Sequence, residues 1–150
     1  MAKFSYRMQN ILDIKYKMES QAKALYASSR ARLNEEQARL EKLFAGKKRL
    51  EDSYRKKAQG SLNVRELMDA RNAINYQKEL IKDQLVKVRV AEKNLEAAKS
   101  RLSEVMKERK THEKLREKAF EGFLEELSAQ EKKEIDELVS YKYGAGGSDK

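Results

Sequence analysis

The chain has 150 residues and a formal net charge of +9, and charged residues make up 39% of it. Aromatic residues make up 7%, mean hydropathy is −0.93, and Pro and Cys are absent. The lack of Cys excludes disulfides and thiolate metal sites, and no apolar run reaches the roughly 18 residues that a membrane span needs. The excess of Ala, Glu, Lys, Leu and Arg is typical of coiled coils rather than of a globular enzyme.

The first predicted helix runs from about residue 4 to about residue 58. Its apolar residues recur at helical spacing and predict one packing face: Phe4, Met8, Ile11, Met18, Ala22, Leu25, Leu33, Leu40, Leu43, Leu50 and Tyr54. The step from Leu25 to Leu33 is one residue longer than a heptad, which predicts a local phase slip near Ser28.

A break follows at residues 59–63, where Gly60 is a candidate C-cap and Ser61 or Asn63 a candidate N-cap. The second predicted helix runs from about residue 64 to about residue 138, and a separate short helix over 64–70 is an alternative start. This second helix carries the clearest pattern in the chain, an apolar residue at every seventh position: Leu67, Ile74, Ile81, Val88, Leu95 and Leu102. Such a heptad stripe predicts packing against another helix.

The partner of that stripe is predicted to be the first helix of the same chain. When the chain is folded back at residues 59–63, apolar residues of the two helices face each other in step: Tyr54 with Leu67, Leu40 with Ile81, Leu33 with Val88, Leu25 with Leu95 and Met18 with Leu102. We therefore predict an all-α fold, in which two long helices form an antiparallel intramolecular coiled-coil hairpin as a single domain over residues 1–142. The Gly-rich tail, 143–150, is predicted to be disordered.

The stripe ends at Arg109, beyond which the second helix extends past the first. Its further apolar residues are predicted to be uncovered, which indicates a binding partner: Leu115, Ala119, Phe120, Phe123, Leu124, Leu127, Ile135 and Leu138. Charge changes there as well. Residues 1–60 hold 15 Lys and Arg against 7 Asp and Glu, whereas residues 111–150 hold 7 against 10.

The sequence carries no motif for catalysis or for cofactor binding. It has one histidine, His112, and its paired carboxylates lie on highly charged helix surfaces where no pocket would tune their pKa. We therefore predict no enzymatic activity, no cofactor and no metal site. Basic clusters near the connection, such as residues 47–49 and 55–57, could bind phosphate, so a basic coiled coil that binds nucleic acid or acts as a scaffold is an alternative, although a specific nucleic-acid role is not favoured.

Three segments resemble bacterial flagellar export proteins of the FliJ family: the opening FSYRMQNILDIKYKME over 4–19, RNAINYQ over 71–77, and the charged stretch over 113–141. The resemblance covers nearly the whole chain. It implies a component of the flagellar type III protein export apparatus that folds like the central stalk of rotary ATP synthases. A stalk of a virulence-type secretion system or of a rotary ATPase is the alternative within this class.

The resemblance also implies partners and places them on the chain. The paired terminal ends would enter the hexameric export ATPase through Phe4, Tyr6, Arg7, Gln9, Phe120, Phe123, Leu124 and Leu127. The cytoplasmic linker of the export gate protein FlhA would bind Glu79, Leu80, Asp83, Val86 and Val90. Unloaded export chaperones are further implied partners. The expected location is the cytoplasm, with peripheral association at the export apparatus of the inner membrane.

Overall fold

The computed structural model describes residues 3–60 and 63–147, with side chains described as far as residue 141. It contains two helices, α1 over Gln9–Gln59 with 51 residues and α2 over Val64–Gly147 with 84 residues. The predicted all-α fold of two long helices is confirmed. Neither helix, within the described residues, has a segment long and apolar enough to span a bilayer.

The first helix begins at Gln9, later than the predicted start at about Phe4. Residues 3–6 precede it without regular secondary structure and residues 7–8 form a turn, where the backbone amide of Gln9 donates to the carbonyl of Tyr6 at 3.1 Å. Phe4 matches the helical periodicity of the residues that follow it, but it packs from outside the helix. Periodicity alone could not detect that difference.

The start of α2 agrees with the predicted N-cap. The side-chain oxygen of Asn63 accepts from the amides of Arg65 at 3.1 Å and Glu66 at 3.4 Å, which satisfies two of the free donors at the helix start. Residues 64–70 are the first turns of α2 rather than a separate short helix. No described glycine has a positive φ, so Gly60 is not a left-handed cap.

The second helix continues to Gly147, beyond the predicted end at about residue 138. No proline interrupts this part of the chain, and the predicted end lies before the glycines at 144, 146 and 147, which have low helix propensity. Residues 61–62 of the predicted connection and 148–150 of the predicted tail lie outside the described residues.

The described chain packs as two compact units. The single domain over 1–142 stays a prediction. Unit 1 comprises Met1–Glu19 and Val105–Lys150, and unit 2 comprises Ser20–Glu104. Both helices contribute to both units.

In unit 2, α1 and α2 pack antiparallel. The side-chain amide nitrogen of Gln77 donates to the backbone carbonyl of Leu43 at 2.9 Å, and that of Gln84 donates to the backbone carbonyl of Glu36 at 2.9 Å. The residue number therefore falls along α1 as it rises along α2, as antiparallel helices require. The core on α2 consists of the predicted stripe and of alanines between its members: Ile74, Ile81, Val88, Ala91 and Ala98. The heptad stripe is therefore a buried face, as predicted.

The predicted phase slip near Ser28 is wrong. Buried and half-buried residues of α1 follow regular steps of three and four residues through this region: Leu12, Lys15, Glu19, Ala22, Tyr26, Ser29, Leu33, Glu36, Leu40, Leu43, Lys47, Leu50 and Tyr54. Leu25 and Ile11, both assigned to the face from sequence, are 52% and 37% exposed. The apparent slip arose because Met18 and Leu25 were assigned to the heptad positions that Glu19 and Tyr26 occupy, one residue further along the chain.

Gly46 lies on this face of α1, where the two helices approach closely. A Cβ at Gly46 would lie 2.8 Å from the amide nitrogen of Gln77, the same nitrogen that donates to Leu43. Glycine costs a helix interior about 1 kcal/mol relative to alanine. Here the absence of a side chain at Gly46 leaves room for the Gln77 side chain to make its hydrogen bond to Leu43.

In unit 1, α1 and α2 pack antiparallel around a small core. Val105 of α2 is fully buried, and Leu12 of α1 is 2% exposed. Leu12 therefore occupies the core position that the sequence pattern assigned to its neighbour Ile11. Beyond this core, side chains of residues 4–16 contact side chains between residues 108 and 123.

Candidate functional site

Three aromatic rings join the N-terminal segment to the late part of α2 in unit 1. The ring of Phe4 packs edge-on against that of Phe120, with centroids 5.0 Å apart, and tilted against that of Phe123 at 5.4 Å. Both geometries are preferred arrangements for aromatic pairs. We call this cluster the aromatic clasp. It covers part of the apolar surface that the sequence predicts to be uncovered.

A basic side chain flanks the clasp. The guanidinium carbon of Arg116 lies 5.6 Å from the centroid of the Phe4 ring, within cation–π range. The Nε of Arg116 donates to Oε1 of Gln9 at 2.9 Å, which ties the first turn of α1 to α2. Arg116 of α2 therefore contacts both Phe4, which precedes α1, and Gln9, the first residue of α1.

An ionic network lies next to this region. Arg109 donates to Oε2 of Glu19 at 2.6 Å and to Oε2 of Glu113 at 2.9 Å, and the hydroxyl of Tyr16 donates to Oε1 of Glu113. Lys15 and Glu108 add a separate ion pair at 3.0 Å. Glu19 and Arg109 are both largely buried, and each neutralises the charge of the other. Either charge alone would be unfavourable in this position.

The network shifts three pKa values. The hydrogen bond from Tyr16 lowers the pKa of Glu113, and Arg109 lowers it further. The same hydrogen bond raises the pKa of Tyr16, and the hydrogen bond with Glu19 raises the pKa of Arg109. All three shifts favour the protonation states that hold the network together at neutral pH.

We expect unit 1 to lose stability in acid through Glu113. A carboxyl whose pKa is lowered by folding contributes stability that is present above its unfolded value, 4.5, and is lost as the pH falls through the lower folded value. Thermal unfolding followed by circular dichroism between about pH 3 and pH 7 should therefore show a smaller acid-side loss in Glu113→Gln than in the wild type.

Glu121→Gln is the matched control for that experiment, because Glu121 is exposed and lies on the same helix. Its unfolding should depend on pH as the wild type does. If Glu113→Gln and Glu121→Gln follow the same pH dependence, the Tyr16–Glu113–Arg109 network does not contribute to acid stability.

The structure brings together half of the residues that the family resemblance places at the ATPase-binding end. Phe4, Phe120 and Phe123 form the clasp, and Gln9 joins it through Arg116. Of the remaining predicted residues, Tyr6 and Leu127 are half-buried, and Arg7 and Leu124 are exposed.

The residues assigned to export-gate binding lie in unit 2. Val86 and Val90 are 58% and 52% exposed and line a shallow groove with residues of both helices: Arg32, Glu36, Lys87, Ala91 and Asn94. Glu79 and Asp83 are exposed and Leu80 is half-buried, and these three do not line the groove. Only the two valines of the predicted set therefore share one surface feature.

Sequence reasoning missed the ionic network of unit 1 and the contacts of Arg116. Arg116, Glu113 and Arg109 lie at helical spacings along α2, and the corrected face of α1 places Glu19 and Tyr16 near them. An i, i+4 pair such as Arg109 with Glu113 is a recognisable signal. Its interhelical partners become recognisable only once the register of α1 is correct.

The family of the chain follows from comparison with known proteins. The model of the flagellar FliJ protein family matches residues 4–148, which is nearly the whole chain. The chain belongs to the flagellar FliJ family. It is therefore a protein related to type III export. No curated protein matches it in sequence.

A solved structure supports the fold. CT670 of Chlamydia trachomatis, described as a YscO homolog, superposes with a TM-score of 0.79 and 20% sequence identity. The match covers 99% of this FliJ-family chain and 100% of CT670. At that level of identity the likeness concerns the two-helix fold.

The described part of this FliJ-family protein contains no cluster of three or more His, Cys, Asp or Glu side chains that could hold a metal ion. Its surface depressions are open and lie along the helices, as between Gln9 and Glu117 in unit 1.

Proposed function

We propose that this FliJ-family protein is the central stalk of the hexameric flagellar export ATPase and is itself non-catalytic. The aromatic clasp is the observation that carries the proposal. Because Phe4 folds back onto Phe120 and Phe123, the N-terminal segment and the late part of α2 form one joint surface. A stalk that enters a ring through both ends of its chain needs such a surface.

The chemistry of this surface suits an interface. Phe120 and Leu124 remain 41% and 46% exposed, and Arg116 lies over the ring of Phe4. Aromatic residues and arginines are enriched where proteins bind one another. In this mechanism the rings of the clasp pack against ATPase subunits, and the energy comes from ATP that the ATPase hydrolyses.

The test is titration of the full chain into purified flagellar export ATPase, with ATP hydrolysis and hexamer formation as readouts. Both should rise with added wild type, and Phe120→Ala should reduce the rise because it removes a ring of the clasp. Lys99→Gln, an exposed position of unit 2, should behave as the wild type. A folded wild-type chain that changes neither hydrolysis nor assembly contradicts the stalk function.

The second part of the proposal concerns unit 2, whose exposed Val86 and Val90 would bind the cytoplasmic linker of FlhA. Val86→Ser with Val90→Ser should weaken binding of an FlhA linker fragment to the immobilised chain. Val64→Ser with Met68→Ser is the matched control, since these residues are also exposed and four apart on α2. Equal weakening by both pairs would count against a site at the valines.

The family resemblance supports two further parts of the proposed role. The protein escorts unloaded export chaperones, and it associates peripherally with the export apparatus at the membrane. Co-purification of an export chaperone with the chain tests the first. Fractionation of cells with and without FlhA tests the second, because the membrane-bound fraction should fall when FlhA is missing.

A further inference from the structure

The last part of α2 carries an apolar stripe that is interrupted by one carboxylate. Leu124, Leu127, Ile135 and Leu138, which we call the terminal stripe, lie on one face of the helix. The step from Leu127 to Ile135 is twice the usual four residues, and Glu131 occupies the position midway between them. Glu131 therefore lies in the middle of the stripe and not beside it.

Beyond Leu127, nothing in the described part of the chain covers this stretch. Every residue from 128 to 141 is exposed, with Ile135 at 59% and Leu138 at 67%. An isolated helix in water draws little stability from propensity alone, and most helices in proteins are stabilised by packing of an apolar face. The terminal stripe is such a face, and it lies on the same helix as the aromatic clasp.

Charge indicates the chemistry of the partner. Residues 117–141 hold eight Asp and Glu against three Lys. A second copy of the chain would bring two such acidic segments together, and like charges across an interface are unfavourable. The complementary partner has apolar pockets within a basic surface.

We propose that Glu131 inserts into the partner's groove with the terminal stripe and pairs there with an arginine or lysine. A carboxylate enclosed among apolar side chains must be paired with a cation or its burial is strongly unfavourable. Glu131 thereby selects a groove that offers a cation at this position and rejects a wholly apolar groove. The inference rests on the proposed stalk function, in which the partner is the export ATPase.

The test compares two substitutions with the same charge change. Glu131→Gln removes the carboxylate from the stripe, and Glu126→Gln removes one on another face, since five residues rotate a helix by roughly 140° from Glu131. Affinity of the full chain for purified export ATPase is measured by fluorescence anisotropy. We expect Glu131→Gln to weaken binding about 30-fold or more, because truncating one partner of an enclosed charge pair is costly.

Glu126→Gln should change the affinity less than about 3-fold, as expected for a solvent-exposed charge. Circular dichroism of both variants checks that helix content is unchanged. If the wild type binds and Glu131→Gln weakens binding no more than Glu126→Gln does, the role of Glu131 is refuted while the stalk function stands. If the folded wild type does not bind the ATPase, both proposals fail.

Discussion

Gln84→Leu is expected to lower the free energy of unfolding by about 1–3 kcal/mol, although it places an apolar residue in a coiled-coil core. Glu36 on α1 is 1% exposed, and the amide nitrogen of Gln84 donates to its Oε2 at 2.6 Å. Arg32 and Arg39, both more than half exposed, contact Oε1 of the same carboxylate at 3.3 and 3.2 Å. Removal of the amide would take from Oε2 its 2.6 Å hydrogen bond inside the core.

The double variant Glu36→Leu with Gln84→Leu separates this cause from general damage to the core. When both polar partners are replaced by apolar residues, no buried group remains unsatisfied, and such replacements are often neutral or stabilising. Urea unfolding followed by circular dichroism should find the double variant at least as stable as the wild type. A double variant less stable than Gln84→Leu would contradict the explanation.

Ile81→Ala is expected to lower the free energy of unfolding by about 2–5 kcal/mol, a large share of the stability of a small domain. Ile81 is 7% exposed and belongs to the buried stripe of unit 2. Its truncation removes buried methyl groups and leaves a cavity that two helices can close only in part. The same urea experiment measures the effect.

Leu85→Ala is the matched control, because Leu85 lies one helical turn further along α2 and is 44% exposed. It should cost about 1 kcal/mol or less, as substitutions at exposed positions usually do. Comparable losses for Ile81→Ala and Leu85→Ala would mean that the heptad stripe is not the packing face in solution.

The sequence was sufficient to predict the two helices, their connection and the buried face of α2. Those features depend on apolar periodicity and on the cap at Asn63, which are local and repeated signals. The face of α1 was harder because Glu19, Ser29 and Glu36 occupy part of it. A buried polar residue satisfies its hydrogen bonds through a partner such as Gln84, and that partner cannot be identified before the register is known.

Part of the candidate site was also predictable from the sequence. Family resemblance identified Phe4, Phe120 and Phe123, and the structure joins them in the clasp. The role of Arg116 could not be predicted, because it depends on Phe4 leaving the helical path and meeting α2 from outside the helix. The valines at 86 and 90 were named from resemblance alone, and the groove that they line requires both helices.

The aromatic clasp also constrains the order in which the chain can fold during synthesis. Contacts within unit 2 join residues 34 and 48 positions apart, whereas Lys15 with Glu108 and Gln9 with Arg116 are 93 and 107 positions apart. Phe4 is synthesised before all of unit 2, whereas Phe120 and Phe123 are synthesised after it. Unit 2 can therefore fold during synthesis, while Phe4 lacks its aromatic partners until Phe120 and Phe123 have been made.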